Sequence, residues 1–273
     1  MKNIKFYKKK SFEIRKKLFD KFYILKEGHP GSVFSILDVL LVIYYERHVR
    51  IKKNLPIDDL IMSKGHATVA QYPILNDLGV ISNRDWNNWG RNHKTKLKMF
   101  GNHNIPGIKT STGSLGHGIG LGTGIAYSAL KNKINKKVFV IISEGELYEG
   151  STWEALLLLP TLNLTNLFII LDVNQNIILG KPQDCLSLGD IKKKIQSFDI
   201  FTDECDGHNY KVLNNKIIKL LQKKRPTCLI ANTIKGKGFQ IMENKANWHY
   251  ANPIDKKTYV DQLMKLEKKY GQN

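Results

Sequence analysis

The sequence predicts an α/β fold, a doubly wound, mostly parallel sheet with helices on both faces. Val138-Phe139-Val140-Ile141-Ile142 and Leu167-Phe168-Ile169-Ile170-Leu171 are unbroken runs of branched or aromatic residues, each closed by a polar loop. Such runs are expected of strands buried on both faces of a parallel sheet. Between them, Glu149-Gly150-Ser151-Thr152-Trp153-Glu154-Ala155-Leu156 opens a crossover helix. Strand, helix and strand place Ser143-Glu144-Gly145-Glu146 and Asp172-Val173-Asn174 at one carboxyl edge, where open α/β sheets bind ligands. One loop offers a carboxylate, the other a side-chain amide and free carbonyls. Hard oxygen donors of this kind suit Mg²⁺ or Ca²⁺ holding a phosphate.

The remaining elements follow in chain order. Ser11 to Lys26 has helical periodicity, with Phe12, Leu18, Phe19, Phe22 and Leu25 on one face. Gly28-His29-Pro30-Gly31 breaks it, and Ser32 is placed to cap a second helix, Ile36 to Tyr45. Asp59-Leu60-Ile61-Met62 is a short strand that delivers Ser63-Lys64-Gly65-His66 to the same edge, and residues 66–78 form a helix closed by Gly79. From Asn83 to Gly107 the chain is polar, aromatic and irregular, an excursion over the active face. His117 to Lys131 is helical despite Gly118, Gly120, Gly122 and Gly124. Glycine weakens a helix, so close packing or close ligand approach must compensate.

Gly180 to Asp206 reads as loop with one helix near Ile191–Gln196. Tyr210 to Lys223 is a helix with Val212, Leu213, Ile217, Leu220 and Leu221 inward. Thr227 to Asn232 is the last strand, leading into Lys235-Gly236-Lys237-Gly238, and an amphipathic helix follows Asp255. The whole reads as one domain, 1–273, with residues 1–10 and 265–273 frayed.

The formal charge of +19 comes from 43 basic and 24 acidic residues. Phosphate neutralisation would make such a chain a candidate nucleic-acid binder. The lysines are nevertheless spread along the sequence, and the densest run, Lys8-Lys9-Lys10 with Lys16-Lys17, fits a solvated helix face. The three cysteines, Cys185, Cys205 and Cys228, show no metal or redox spacing, which points to a reducing compartment. With no apolar leader or membrane-length run, the expectation is a soluble, cytoplasmic protein.

The site words are more specific. Ser143-Glu144-Gly145, with Asn174 downstream, resembles the thiamine diphosphate motif, which usually reads Gly-Asp-Gly and ends in Asn. Around it stand Gly28-His29-Pro30-Gly31, Ser63-Lys64-Gly65-His66-Ala67 and Ser111-Thr112-Gly113-Ser114-Leu115-Gly116-His117-Gly118. Glu146-Leu147-Tyr148-Glu149-Gly150 follows, then Lys235-Gly236-Lys237-Gly238, Met242-Glu243-Asn244 and Trp248-His249. In this order, from about residue 12 to 250, the words are similar to those of transketolases, specifically the separately encoded N-terminal subunit of two-piece transketolases.

The resemblance implies a thiamine-diphosphate-binding fold of the diphosphate-binding type, with thiamine diphosphate and Mg²⁺ (or Ca²⁺) as cofactors. It assigns the metal to Glu144, the Asn174 side chain and the Asn176 carbonyl. It assigns cofactor contacts to His66, Gly113, Ser114, Leu115, Gly145, Glu146, Asn174 and His249, and catalytic roles to His29, His66, His103 and Glu149. Glu149 matches an acid that meets a partner glutamate at the interface between chains. His103 lies in Gly101-Asn102-His103-Asn104-Ile105-Pro106-Gly107, a shortened version of the family's donor-binding segment. Glu144 stands where Asp is usual, and its extra methylene moves the carboxylate by ~1.5 Å. Either the loop shifts back, eased by Ser143 in place of glycine, or the metal is held less tightly.

The implied reaction is transfer of a two-carbon ketol unit from a ketose phosphate to an aldose phosphate. The family's glutamate against the pyrimidine ring lies on a second, pyrimidine-binding domain, which the resemblance leads us to expect on another chain. The implied partner is therefore a C-terminal subunit, in an α2β2 assembly that also includes self-association. A related enzyme acting on an unusual sugar for polysaccharides or secondary metabolites is the alternative. From another class, the alternative is a non-catalytic basic scaffold or RNA-binding protein.

Overall fold

A computed structural model describes residues 1–91 and 95–271. Its central sheet comprises β1 (Asp59–Met62), β2 (Val138–Ser143), β3 (Leu167–Val173), β4 (Phe201–Asp206) and β5 (Thr227–Asn232). The strands are parallel throughout, in the order β1-β2-β3-β5-β4. Alternation divides the strand residues between two cores. Phe139, Ile141, Phe168 and Ile170 pack with α1 (Ile4–Leu25), α2 (Pro30–Tyr45), α5 (Tyr210–Leu221) and α6 (Lys256–Tyr270). Val140, Ile142, Ile169 and Leu171 pack with α3 (Gly118–Lys131) and α4 (Gly150–Leu162) on the opposite face. This is the doubly wound arrangement expected of unbroken apolar strands.

Several boundaries differ from the sequence reading, each for a local reason. α1 starts at Ile4 because Asn3 Oδ1 accepts from the Phe6 N–H at 2.8 Å. Tyr7 is fully buried, stacked on Tyr210 at 4.6 Å between ring centroids, and donates its hydroxyl to Glu46 at 2.7 Å. Residues 4–10 are thus held in place rather than frayed. At the other end α6 continues to Tyr270 with Leu266 fully buried, while residues 272–273 lie outside the described residues. Ser32 does not cap α2, which begins at Pro30 because proline's fixed φ and missing N–H suit the first helical position. The expected helix over 66–78 divides into a 3₁₀ segment, Gly65–Ala70, and a short helix, Tyr72–Asp77. The 83–107 excursion contains a helical turn at Asn83–Asn88, and its residues 92–94 lie outside the described residues.

Phe201-Thr202-Asp203-Glu204-Cys205-Asp206 is half acidic and reads as loop in the sequence, yet it forms β4. It is an edge strand, paired only with β5, so its outward side chains remain polar. Val212 of α5 is exposed rather than inward.

The glycines of α3 divide by face. Gly122 packs onto β2 so closely that an added Cβ would lie 2.3 Å from Val140 Cγ2, whereas Gly124 has nothing within 4 Å. Gly122→Ala should therefore destabilise the chain by about 1–3 kcal/mol through overpacking. Gly124→Ala should stabilise it by about 0.5–1 kcal/mol through helix propensity. Urea unfolding of the two variants tests the contrast, and equal midpoints would contradict it. No helix among the described residues is long and apolar enough to cross a membrane.

Candidate active site

The parallel register sets Ser143 opposite Asp172, so the loops after β2 and β3 leave the sheet side by side. The Gln175 N–H donates to Glu144 Oε2 at 2.8 Å, tying one loop to the other. Asn174 Oδ1 accepts from the Asn176 N–H at 3.2 Å. Glu144, Asn174 and Asn176 line one cavity of about 440 Å³, together with His66, Glu149 and His249. Burial pushes the Glu144 carboxyl above its ordinary range; the Gln175 N–H offsets only part of this, and Asp172 adds to the rise. The carboxylate and amide expected to share a cation therefore meet at one crevice. Among the described residues no cluster of three or more His, Cys, Asp or Glu side chains is built to hold a metal. A cation here would rest on a mixed set of carboxylate, amide and carbonyl oxygens, which suits a hard ion.

Glu146 is placed differently from its expected role. Its fully buried carboxylate accepts from the Gly116 N–H at 3.1 Å, the Ser143 N–H at 2.9 Å and the Ser63 hydroxyl. It brackets the end of β1, the 113–118 turn and the end of β2, while its carbonyl accepts from the Thr152 hydroxyl at 2.7 Å and the Glu149 N–H at 3.1 Å, so Glu146 does not line the cavity. Gly145 and Leu115 lie on the cavity wall. Gly113 and Ser114 lead into Leu115, and Ser114 is exposed. Glu149 is exposed at the rim, where it precedes α4 without making a capping bond. His103 does not join the cavity: it is exposed, with its ring Nδ1 3.0 Å from Ser111 Oγ.

Two lysines escape notice in the sequence as site residues, although both lie within its motif words. Lys64 and Lys235 are fully buried, which is rare for lysine unless it is paired. Lys64 Nζ is ion-paired with Asp172 and lies 3.3 Å from the Ser32 carbonyl. Lys235 Nζ donates to the Asn176 carbonyl at 3.1 Å and lies 3.3 Å from His249 Nδ1. The carbonyl nominated as a metal ligand thus already accepts one hydrogen bond and keeps its second lone pair. Burial and the nearby Lys64 charge lower the Lys235 ammonium to about 8, with Asp172 and Glu144 opposing.

The rings of His29, His66 and His249 cluster together; His66 and His249 line the cavity and His29 does not. The His29 ring centroid is 5.0 Å from His66 and 5.2 Å from His249. Burial, followed by the charges of Lys235 and Lys64, lowers His29 to about 4. Burial, then Lys235, His29 and Lys64, does the same to His249, also to about 4. His66 is pushed well below its usual range by burial and then Lys64. All three imidazoles are neutral at pH 7, and His29 Nδ1 is buried with no hydrogen-bond partner. These folded values lie below that of an unfolded histidine. Their contribution to stability is therefore complete above pH 6.5 and lost as pH falls toward 4. An anion bound beside the lysines should reverse the shift. Imidazole NMR should show His29 and His249 titrating near 4 in the free chain and clearly higher with pyrophosphate present. Identical titrations would place the anion elsewhere.

Buried ammonium groups, neutral imidazoles and an unpartnered ring nitrogen form a donor-rich pocket for an anion. Beside it, the buried Glu144 carboxylate could take a divalent cation. The residues present thus fit a metal-bound diphosphate.

Comparison with known proteins agrees with this geometry. Residues 8–273 match the family described as "Transketolase, thiamine diphosphate binding domain". An apulose-4-phosphate transketolase subunit of Actinobacillus succinogenes is 32% identical over 234 residues, covering 83% of each chain. Its namesake in Phocaeicola vulgatus is 33% identical, covering 88% of this chain and 86% of its own. The crystal structure of transketolase from Campylobacter jejuni superposes with a TM-score of 0.89 at 25% identity, covering all of this chain but 44% of that one. The chain therefore spans most of the two apulose-4-phosphate relatives and under half of the longer transketolase. By the extent of the family match and by these two relatives, the chain belongs to the transketolase family, as the thiamine diphosphate binding domain of a transferase.

Proposed function

We propose that this chain is the N-terminal subunit of a two-chain transketolase that moves a two-carbon ketol unit from a ketose phosphate to an aldose phosphate. The observation that carries the proposal is the pocket that Glu144 and Asn174 line together with Lys64, with the buried Lys235 ammonium behind it against Asn176 and His249. Glu144, the Asn174 amide and the Asn176 carbonyl would hold Mg²⁺ (or Ca²⁺). Lys64, Lys235, His66 and His249 would meet the diphosphate, and Leu115 with the main chain of Gly113, Ser114 and Gly145 would flank the rest of the cofactor. Thiamine diphosphate, when bound, supplies the electron sink for ketol transfer. His29 and His66, neutral at pH 7, can donate to or accept from sugar hydroxyls without charge repulsion from the lysines. His103 has no part in this arrangement.

Both apulose-4-phosphate relatives are named as subunits, which supports a companion chain. In our reading the companion carries the pyrimidine-binding domain and its catalytic glutamate, in an α2β2 assembly that meets Glu149. It would dock on the outward face of α3 and α4, which runs from the cavity rim and exposes Leu121, Leu130, Leu157 and Leu158. A surface helix that is apolar on its outward face leaves a patch that calls for a partner. Leu157→Lys with Leu158→Lys should abolish co-purification with the companion while the isolated chain keeps its melting temperature. Intact assembly in this variant would move the interface elsewhere. The three unpaired thiols support a reducing, cytoplasmic setting.

The test of function is ketol transfer by the reconstituted pair with thiamine diphosphate and Mg²⁺. No transfer from a pair that assembles and binds cofactor would refute it. The relatives' names favour a second reading, an unusual sugar phosphate as substrate. Assaying apulose-4-phosphate against xylulose-5-phosphate as donor separates the two.

A further inference from the structure

Behind the cavity, the fully buried Lys235 ammonium lies 3.1 Å from the Asn176 carbonyl, 3.4 Å from the Ile177 carbonyl and 3.3 Å from His249 Nδ1. The turn Lys235-Gly236-Lys237-Gly238 has positive φ at Gly236 and Gly238, and an added Cβ at Gly238 would lie 2.8 Å from Arg15 Cδ. Hydrogen bonds to its backbone also place the turn: the Gly238 N–H donates to Glu243 Oε1 at 2.9 Å, and the Lys235 carbonyl accepts from the Asn244 N–H at 3.0 Å. Arg15 Nε donates to the Lys237 carbonyl at 3.0 Å, and the Gly236 N–H donates to the Gly31 carbonyl at 2.9 Å. The N–H immediately ahead of Lys235, that of Ile234, donates to His208 Nε2 at 2.9 Å.

The other nitrogen of that ring, Nδ1, lies 2.8 Å from Asp38 Oδ2. A carboxylate only accepts and a backbone N–H only donates, so Nδ1 carries the proton and Nε2 is bare. Asp38 is in turn fixed by Arg15 through two bonds of 2.9 Å and by the Tyr210 hydroxyl at 3.0 Å. Burial alone would raise the Asp38 carboxyl, but Arg15 and then His208 more than offset it and keep the carboxylate charged.

We propose that His208 is a positioning residue for the cofactor pocket: oriented by Asp38, it holds Ile234 and thereby sets where the Lys235 ammonium lies behind the cavity. The consequence at Lys235 rests on the cofactor reading above, whereas the grip on Ile234 does not. An amide side chain can reproduce one ring nitrogen but not both. Asparagine places its terminal group near the Nδ1 position and keeps the bond to Asp38. Glutamine places its own near the Nε2 position and keeps the acceptor for Ile234.

The experiment uses the full chain and its variants His208→Asn and His208→Gln. It measures amide hydrogen exchange at Ile234 and affinity for inorganic pyrophosphate with Mg²⁺. In His208→Asn, Ile234 should exchange at least about tenfold faster, and pyrophosphate affinity should fall by roughly fivefold or more. His208→Gln should stay close to wild type in both. Added to Lys235→Ala, His208→Asn should cause no further loss of affinity, because the effect runs through Lys235.

Unchanged Ile234 exchange in His208→Asn, or equal behaviour of the two variants, overturns the proposal. A loss of the same size in the Lys235→Ala background overturns the route through Lys235. If His208→Asn fails to fold, His208→Gln decides alone, since faster Ile234 exchange there would show that the retained acceptor does not matter. A wild-type chain that takes up no pyrophosphate would sink the cofactor reading, and the exchange result would still decide the role of His208.

Discussion

Glu144→Gln should weaken cation-dependent binding of thiamine diphosphate on the order of a hundredfold or more, while the free chain loses no stability to urea. The substitution keeps an oxygen to accept the Gln175 N–H, so the tie between the β2 and β3 loops survives. What it removes is the charge that a divalent cation needs. The free chain also has a distinct pH signature. The folded carboxyl lies above the unfolded value of 4.5, so the folded state takes up a proton more readily than the unfolded chain. That contribution to stability is complete below pH 4.5 and is lost as pH rises through the folded value. Wild type should therefore lose stability relative to Glu144→Gln as pH rises above 4.5, and Mg²⁺ with the diphosphate should reverse the difference, because it stabilises the tighter-binding wild type more. Isothermal titration with and without Mg²⁺, beside urea unfolding at several pH values, measures both effects. A variant that binds the Mg²⁺ form as tightly as wild type would remove Glu144 from the metal site.

Asp38→Ala should cost about 3–5 kcal/mol of folding stability. Arg15 and Asp38 are both buried and bonded to each other, and the network reaches His208, Tyr210 and Ser11. Alanine leaves the guanidinium inside the protein without its counter-charge and leaves His208 Nδ1 without an acceptor. Removing both charges as Arg15→Met with Asp38→Leu should recover much of the loss, because an apolar pair of similar volume needs no desolvation. The wild-type carboxyl is held well below 3.8, so its contribution is complete above that pH and lost as pH falls through the folded value. The single variant should not show this acid-dependent loss. Equilibrium urea unfolding decides the matter, and a cost below about 1 kcal/mol would mean that solvent reaches Arg15.

The fold is readable where burial on both faces makes the pattern simple. Val138–Ile142 and Leu167–Leu171 have no polar positions, so there is no periodicity to judge. β4 is not readable, because an edge strand hydrogen-bonded on one side keeps acidic side chains that look like loop. The α1 start is hidden because lysines surround Tyr7, and its partners Glu46 and Tyr210 are distant in sequence. The site divides in the same way. Glu144, Asn174 and His66 follow from motif words at strand ends, which a parallel sheet brings to one edge, and His249 from a word after a 3₁₀ turn beyond β5. Lys64 and Lys235 escape notice because a lysine in sequence reads as solvated. Only the packing of Ser32, Asp172 and Asn176 around them shows otherwise.

The sequence by itself determined the parallel sheet, the family and the residue types at the carboxyl edge, since these depend on local pattern and on words of fixed spacing. Tertiary structure alone decided which side chains face the cavity. It turned Glu146 inward onto Gly116 and Ser143, kept His103 outside and buried Lys64 and Lys235. The reason is that orientation and charge state depend on desolvation and on hydrogen-bond partners contributed by segments far apart in the chain.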